Sequence, residues 1–231
     1  MSKSKFNENK EQIYKKFLSH TEKDRFPIVS FFNNDYVLIE GDSLDSMYFL
    51  LSGKIKVFKN YENGKTMLVR LFDYFTILGD IEYILEKEIQ CTVQAVGEVK
   101  FVKVPFSYLD KEYRRDLTFL NNILIQLSSK ILLTNDQATL NLMYSLDIRL
   151  ASYLLSFADP KTSIVDLPKL EDVSNNLGTS YRHLSRTIKK FLEKGAIMKN
   201  NKTITIKNKK LLLEMSQGNV YEDETEYNFW G

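Results

Sequence analysis

The side chains of this chain best placed to do chemistry are arginines and lysines crowded toward its carboxyl end. Between Thr179 and Lys210 stand ten bases, Arg182, Arg186, Lys189, Lys190, Lys194, Lys199, Lys202, Lys207, Lys209 and Lys210, against the single acid Glu193. That segment carries +9 in a 231-residue chain whose net charge is only +2. So concentrated a positive face attracts phosphates and gains affinity by releasing their counterions. Arginine adds discrimination, because its planar fork offers two parallel donors to O6 and N7 of guanine. Ser180, Tyr181, Arg182, Ser185 and Arg186 fall at the start of an expected helix, Lys189 and Lys190 one turn on, and Lys202 in a turn. A solvated lysine face on a protein-binding module is the competing reading.

Other chemistry is poorly provided for. The lone cysteine, Cys91, forbids an internal disulfide and a four-thiolate iron–sulfur cluster. His20 and His183 stand far apart, which leaves no zinc spacing and little for haem. There is no P-loop, dinucleotide fingerprint or nucleophile elbow. Asp80 and Glu82, two apart on an expected strand, would share a face as acid and base, but no nucleophile or metal ligand accompanies them. The chain therefore reads as a non-enzyme without metal or cofactor. Cys91 could sense oxidants if its pKa were lowered; as a small buried apolar residue it needs no such role.

The elements that must carry the basic face follow from periodicity. From Ile28 to Pro105, short apolar runs separated by turn signals (Tyr36–Ile39, Met47–Leu51, Lys54–Phe58, Thr66–Phe72, Cys91–Val96, Val99–Val104) predict many short strands, hence a sandwich or barrel. Glu62-Asn-Gly-Lys65 reads as a hairpin turn. Beyond Pro105, Leu117, Leu120, Leu124, Leu127, Ile131 and Thr134 alternate steps of three and four, the seam of a coiled coil, with Ile123 and Leu132 widening it. A helix over about 113–139 would run roughly 40 Å. It predicts either a dimer seam or, less simply, a core helix of its own domain. Leu146–Phe157 is a further helix. Leu170, Val173 and Leu177 then mark a short helix that stops at Gly178, and Thr179-Ser180 caps a second one over about 181–194 with Leu184, Ile188 and Leu192 inward. Short helix, glycine turn and second helix make a helix-turn-helix. Ala196–Lys199 and Thr203–Ile206 form a hairpin beside it, a wing.

Four pieces now stand in order: Glu40-Gly-Asp with Tyr48–Gly53, Leu78-Gly-Asp-Ile-Glu82, Asp147–Leu155 and Leu177–Arg186. Over about residues 28–213 the chain resembles the Crp/Fnr family of bacterial transcription regulators, and its Ser-Tyr-Arg-His-Leu and Gly-Asp-Ile-Glu runs are similar to the YeiL-like branch. The resemblance implies an α+β protein: an N-terminal helical segment (1–27), a β jelly-roll of the cyclic-nucleotide-binding type (28–112), a long dimerisation helix (113–140) and a winged helix-turn-helix domain (141–218). It implies a homodimer on double-stranded DNA with a palindromic operator, and RNA polymerase as a partner if the regulator activates.

The effector pocket departs from the nucleotide-binding pattern. Gly79, Asp80, Ile81 and Glu82 match the start of the phosphate-binding cassette, but Ile89 and Gln90 fall where an arginine and a Ser or Thr are expected, ahead of Cys91 and Thr92. Neither Lys87 nor Lys100 is at the matching place, and Phe75 fills a position where relatives carry glycine. A buried phosphate without its cation is costly, so cyclic AMP is not expected; a small metabolite, a peptide or no effector remains. Thr134, with Asn135, matches a helix position that faces the base in relatives, or is a polar residue of the seam. The tail 219–231 has four acids and no base, and reads as a frayed end, a segment folding back on the basic domain, or a polymerase contact. No stretch approaches the roughly 20 apolar residues of a membrane span and no leader is evident, so a cytoplasmic protein is expected.

Overall fold

The computed structural model describes residues 14–18, 25–61, 66–72, 75–159, 161–167 and 169–218, without the side chains of Met67 and residues 133–142. Most of the N-terminal segment, His20, the turn Glu62–Lys65, the tail 219–231 and the side chains of Thr134 and Asn135 therefore lie outside the described residues.

The expected breaks at Ser52-Gly53 and Gly97 are not breaks. Met47–Leu51 and Lys54–Phe58 belong to one 15-residue strand, β3 (Ser46–Asn60), and the two runs around Gly97 form the 14-residue β6 (Thr92–Pro105). The two pair antiparallel from Ser46↔Pro105 to Phe58↔Thr92, with register shifts on either side of Ser52. Gly53 makes this possible. Its φ is +88°, and a Cβ there would lie 2.3 Å from the Glu98 carbonyl oxygen, so only glycine fits the bulge. β1 (Ile28–Phe31) and β2 (Tyr36–Leu38) pair with β6, and β4 (Thr66–Phe72) and β5 (Ile77–Leu78) with β3.

Alternation on β3 sorts two apolar layers. Tyr48, Leu50, Ile55 and Val57 face a core shared with Phe72, Val93, Ala95, Val99 and Phe101. Met47, Phe49 and Leu51 face a second core with Phe17, Leu109, Tyr113, Phe119 and Ile123. Helices α1 (Asp80–Leu85), α2 (Phe106–Glu112) and the first part of α3 (Leu117–Met143) pack with this part of the chain. Residues 14–17 are helical and set Phe17 5.8 Å from the Phe49 and Phe75 rings and 6.3 Å from Phe119. Phe75 thus packs on the helix side of the sheet.

Helix α3 begins four residues later than expected. Asp116 accepts from the Phe119 amide at 2.8 Å and caps it, while Tyr113 is buried in the core of α2. Its 27 residues face two ways. Phe119, Asn122, Ile123 and Gln126 are buried, whereas Leu117, Leu124 and Ile131 are 81%, 62% and 61% exposed. Of the expected seam, Leu120 and Leu127 sit half-buried against the chain's own core. Ile123 does not widen the outer stripe; it closes the inner one.

The described residues divide into two compact units, 14–59 with 69–134, and 60–68 with 135–218. The second holds α4 (Leu146–Phe157), β7 (Ile164–Asp166), α5 (Leu170–Asn176), α6 (Tyr181–Glu193), β8 (Ile197–Asn200), β9 (Thr203–Ile206) and α7 (Lys209–Ser216). Its sheet runs β7-β9-β8. Leu150, Leu154, Val173, Leu184, Ile188, Phe191, Ile197, Ile204 and Leu212 share one core. On α6 the inward residue near the end is Phe191, and Leu192, expected inside, is 37% exposed. Among the described residues no helix is long and apolar enough to cross a membrane.

Candidate functional site

The basic face is built on α5 and α6. Val173 and Leu177 of the first helix bury against Leu184 and Ile188 of the second. Ser174, 4% exposed, is small where the helices meet and donates its hydroxyl to the Glu171 carbonyl at 2.8 Å. Gly178 turns the chain at φ +57°, a left-handed value that a side chain strains to adopt. Ser180 then caps α6, its Oγ accepting from the His183 amide at 3.2 Å. The cap fixes the start of α6, so Ser180 shapes the helix that carries the arginines.

Tyr181, Arg182 and Arg186 are exposed on the first two turns of α6 and Lys189 on the third, and Ser185 is half-buried among them. No acid stands among these residues. Lys189 lies 3.8 Å from Glu193, both exposed, an ion pair that water screens. Lys190 is differently placed: its ammonium bonds the Asp147 carboxylate on α4, which ties α6 down. Lys202 is exposed in the two-residue turn between β8 and β9, beside Asn201 at φ +46°. Lys199, Lys207, Lys209 and Lys210 are exposed as well. Arg149 of α4, absent from the expected site, donates from Nη1 to the Leu177 carbonyl at the turn. Its signal was a lone arginine within the apolar pattern of Leu146–Phe157.

The cassette in the first unit is arranged otherwise than expected. Asp80 and Glu82 lie on α1, not on a strand, and both are buried. Glu82 Oε1 accepts from the Gln90 amide at 3.0 Å. Ile81 points outward, and Ile89 is buried in the strand-side core. Gly41 donates to the Ile89 carbonyl and Ile89 to that of Asp42, each at 2.9 Å, and the Glu40 amide donates to Thr92 Oγ1 at 3.1 Å. Thus residues 89–92 are laced to 40–42.

Three cations here escaped the reading of the sequence. Lys59 bonds Glu40 Oε1 and the Gln90 carbonyl, each at 2.9 Å. It shares the inward parity of Ile55 and Val57, which is the signal that could have found it. Arg70, 5% exposed, lies two residues before Phe72 and overlies its ring at 6.0 Å. Lys130 of α3 reaches the Asp80 carboxylate. Cys91 precedes β6 within this charged group. Burial pushes its thiol pKa up, Glu40 and Glu82 push the same way, and Lys59 and Lys130 oppose them. A thiol so placed is not activated. Among the described residues no group of three or more His, Cys, Asp or Glu is disposed to hold a metal.

Known proteins share these parts. A model of the cyclic nucleotide-binding domain matches residues 28–116, and one of the Crp-like helix-turn-helix domain matches residues 148–215. The chain is 28% identical over 197 residues to Regulatory protein YeiL of Escherichia coli O157:H7, covering 83% of this chain and 88% of that protein. A protein of Eubacterium rectale described as a transcriptional regulator of the crp/fnr family superposes with a TM-score of 0.74 at 16% identity, over 89% of this chain and 94% of that one. A CRP-family transcriptional regulator of Thermus thermophilus gives 0.67 at 17% identity, over 84% and 98%. These structural likenesses establish the fold.

Proposed function

Since the chain belongs to the Crp/Fnr family of transcription regulators, we propose that it binds a palindromic operator as a homodimer, without cyclic AMP. The observation that carries the reading is the exposed start of α6, where Tyr181, Arg182 and Arg186 stand on a capped helix without an acidic partner among the described residues. That end of a recognition helix enters the major groove. Arg186 reads a guanine in each half-site, and Arg182 and Ser185 add discrimination. Relatives often carry glutamate at the Arg182 position, which accepts from cytosine; arginine cannot, so the half-site differs there.

The seam of the dimer runs along Leu117, Leu124 and Ile131, the outward row of α3, with Leu120 and Leu127 on its flank. Two-fold pairing sets the half-sites one helical turn apart, about 34 Å. Cyclic AMP is disfavoured because Ile89 and Gln90 occupy the cassette positions of the phosphate ligands. The nearby carboxylates are also already engaged by the chain itself.

Selection of bound fragments from random DNA by the purified protein, with and without cell extract, tests the reading. An enriched two-fold motif supports it, and extract dependence would reveal an effector. A protein that ignores duplex DNA at low salt would instead be a scaffold acting through protein contacts. Titration calorimetry with cyclic AMP tests the remaining claim, and a micromolar Kd would overturn it.

A further inference from the structure

Lys130 closes the cassette from within. Its Nζ lies 2.7 and 2.8 Å from the two oxygens of Asp80 and 2.6 Å from the Ile77 carbonyl oxygen, enough acceptors for the three protons of an ammonium. The side chains are 17% and 2% exposed. A carboxylate buried so deeply is costly unless a cation meets it, and here the cation comes from the long helix. Lys130 continues the inward row Phe119, Ile123, Gln126 of α3 and is the charged member of that row. The next residue, Ile131, belongs to the outward row. A single ion pair thus joins the Ile77–Asp80 segment to the turn of α3 that presents the proposed seam.

We propose that Lys130 is a built-in substitute for an effector: a positioning residue whose ammonium fixes the rotation and register of α3 on the β-roll, so that the seam is set without a small molecule. Glu40 with Lys59 and Glu82 with the Gln90 amide leave the neighbouring carboxylates engaged in the same way. The inference rests on the proposed function for its effect on DNA, but the clasp itself can be read without DNA.

The test is Lys130→Ala, which leaves Asp80 beside a propylamine-sized space. Hydrogen exchange of the amides in residues 124–132, dimer dissociation by sedimentation, and affinity for the selected operator are measured with and without millimolar propylamine. Loss of a buried partner predicts faster exchange and at least about tenfold weaker dimerisation and operator binding, largely restored by the amine and by the conservative Lys130→Arg. Should Lys130→Ala fail to fold, Lys130→Ala/Asp80→Ala removes the orphaned charge and is measured instead; it is expected to fold, dimerise weakly and ignore the amine. Unchanged exchange and dimerisation in either variant, or a defect of Lys130→Ala alone that neither amine nor arginine repairs, overturns the proposal. A wild-type protein that binds no DNA yet shows amine-restored exchange in Lys130→Ala would sink the proposed function and leave the clasp standing.

Discussion

Arg149 and Leu177 meet at the turn on which the DNA-binding half depends: the arginine on α4 donates from Nη1 to the carbonyl of the residue that ends α5. The last carbonyls of a helix lack partners within it and carry the negative end of its dipole. A guanidinium satisfies both needs. The neighbouring Gly178 serves the turn through its φ of +57° rather than through space, since a Cβ there would stand at an ordinary contact distance of 3.6 Å from Arg149 Nη1. Replacing Arg149 by methionine keeps much of the apolar stem and strands the carbonyl. The expected cost is about 1–3 kcal/mol of stability, seen as a lower Tm. A variant as stable as wild type would show that water satisfies Leu177.

Arg186 and Lys189 separate base reading from phosphate attraction. Arg186→Ala is expected to cost about 1–3 kcal/mol per half-site and to relax one operator position. Lys189→Ala should weaken all sequences alike and lower the salt slope by about one per half-site. Lys190→Ala should change that slope least, because its ammonium is held by Asp147. Gel shifts across a salt series, on operator and scrambled duplex, distinguish the three. Normal operator binding by Arg186→Ala would refute its assignment.

Leu124 and Ile123 are neighbours on α3 with opposite duties, 62% and 2% exposed. Leu124→Lys puts a charge into the proposed seam and should weaken dimerisation at least about tenfold, with the monomer's Tm unchanged. Ile123→Ala should instead cost about 2–4 kcal/mol of folding stability. Sedimentation and thermal unfolding of the pair check both. Equal dimer affinity for Leu124→Lys and wild type would place the seam elsewhere.

Much of this was legible because it rests on local periodicity. The α5–Gly178–α6 unit could be read from Leu170, Val173, Leu177 and the Ser180 cap, since helix faces and caps are set by residues close in the chain. The start of α7 was missed although Asn208 caps it, its side chain accepting from the Leu211 amide at 3.0 Å; the preceding lysines read as charge rather than as a helix. The long strands were misread for another reason. Glycines signal turns, but at Gly53 the choice between turn and bulge is made by Glu98 and Val99, distant in sequence. The cassette was least legible of all. Lys130 and Asp80 lie 50 residues apart, and no spacing rule predicts which cation a buried carboxylate will find.

Gly53 also offers a sharp test of the bulge. Gly53→Ala would set a methyl 2.3 Å from the Glu98 carbonyl oxygen and 2.7 Å from Val99 Cγ1, at a φ that alanine resists. Backbone cannot yield there without disturbing the β3–β6 register. A loss of roughly 2–4 kcal/mol is expected, measured by denaturant unfolding. Little change would mean that the bulge relocates.

Cys91 tests the electrostatics of the cassette directly. Burial is the largest influence and raises its thiol pKa, Glu40 and Glu82 add to it, and Lys59 and Lys130 only partly offset them. The folded protein thus holds the thiol protonated at a pH where the unfolded chain begins to lose the proton. Its contribution to stability is present below the free-thiol pKa of about 8.5 and is lost as pH rises past it. Alkylation by iodoacetamide should be slower than that of a free thiol from about pH 7 to 9, with its midpoint displaced upward. Unfolding in urea should return both rate and midpoint to free-thiol values. Alkylation of the folded protein faster than a free thiol at neutral pH would mean an activated thiolate, and would restore the redox-sensing role that the geometry argues against.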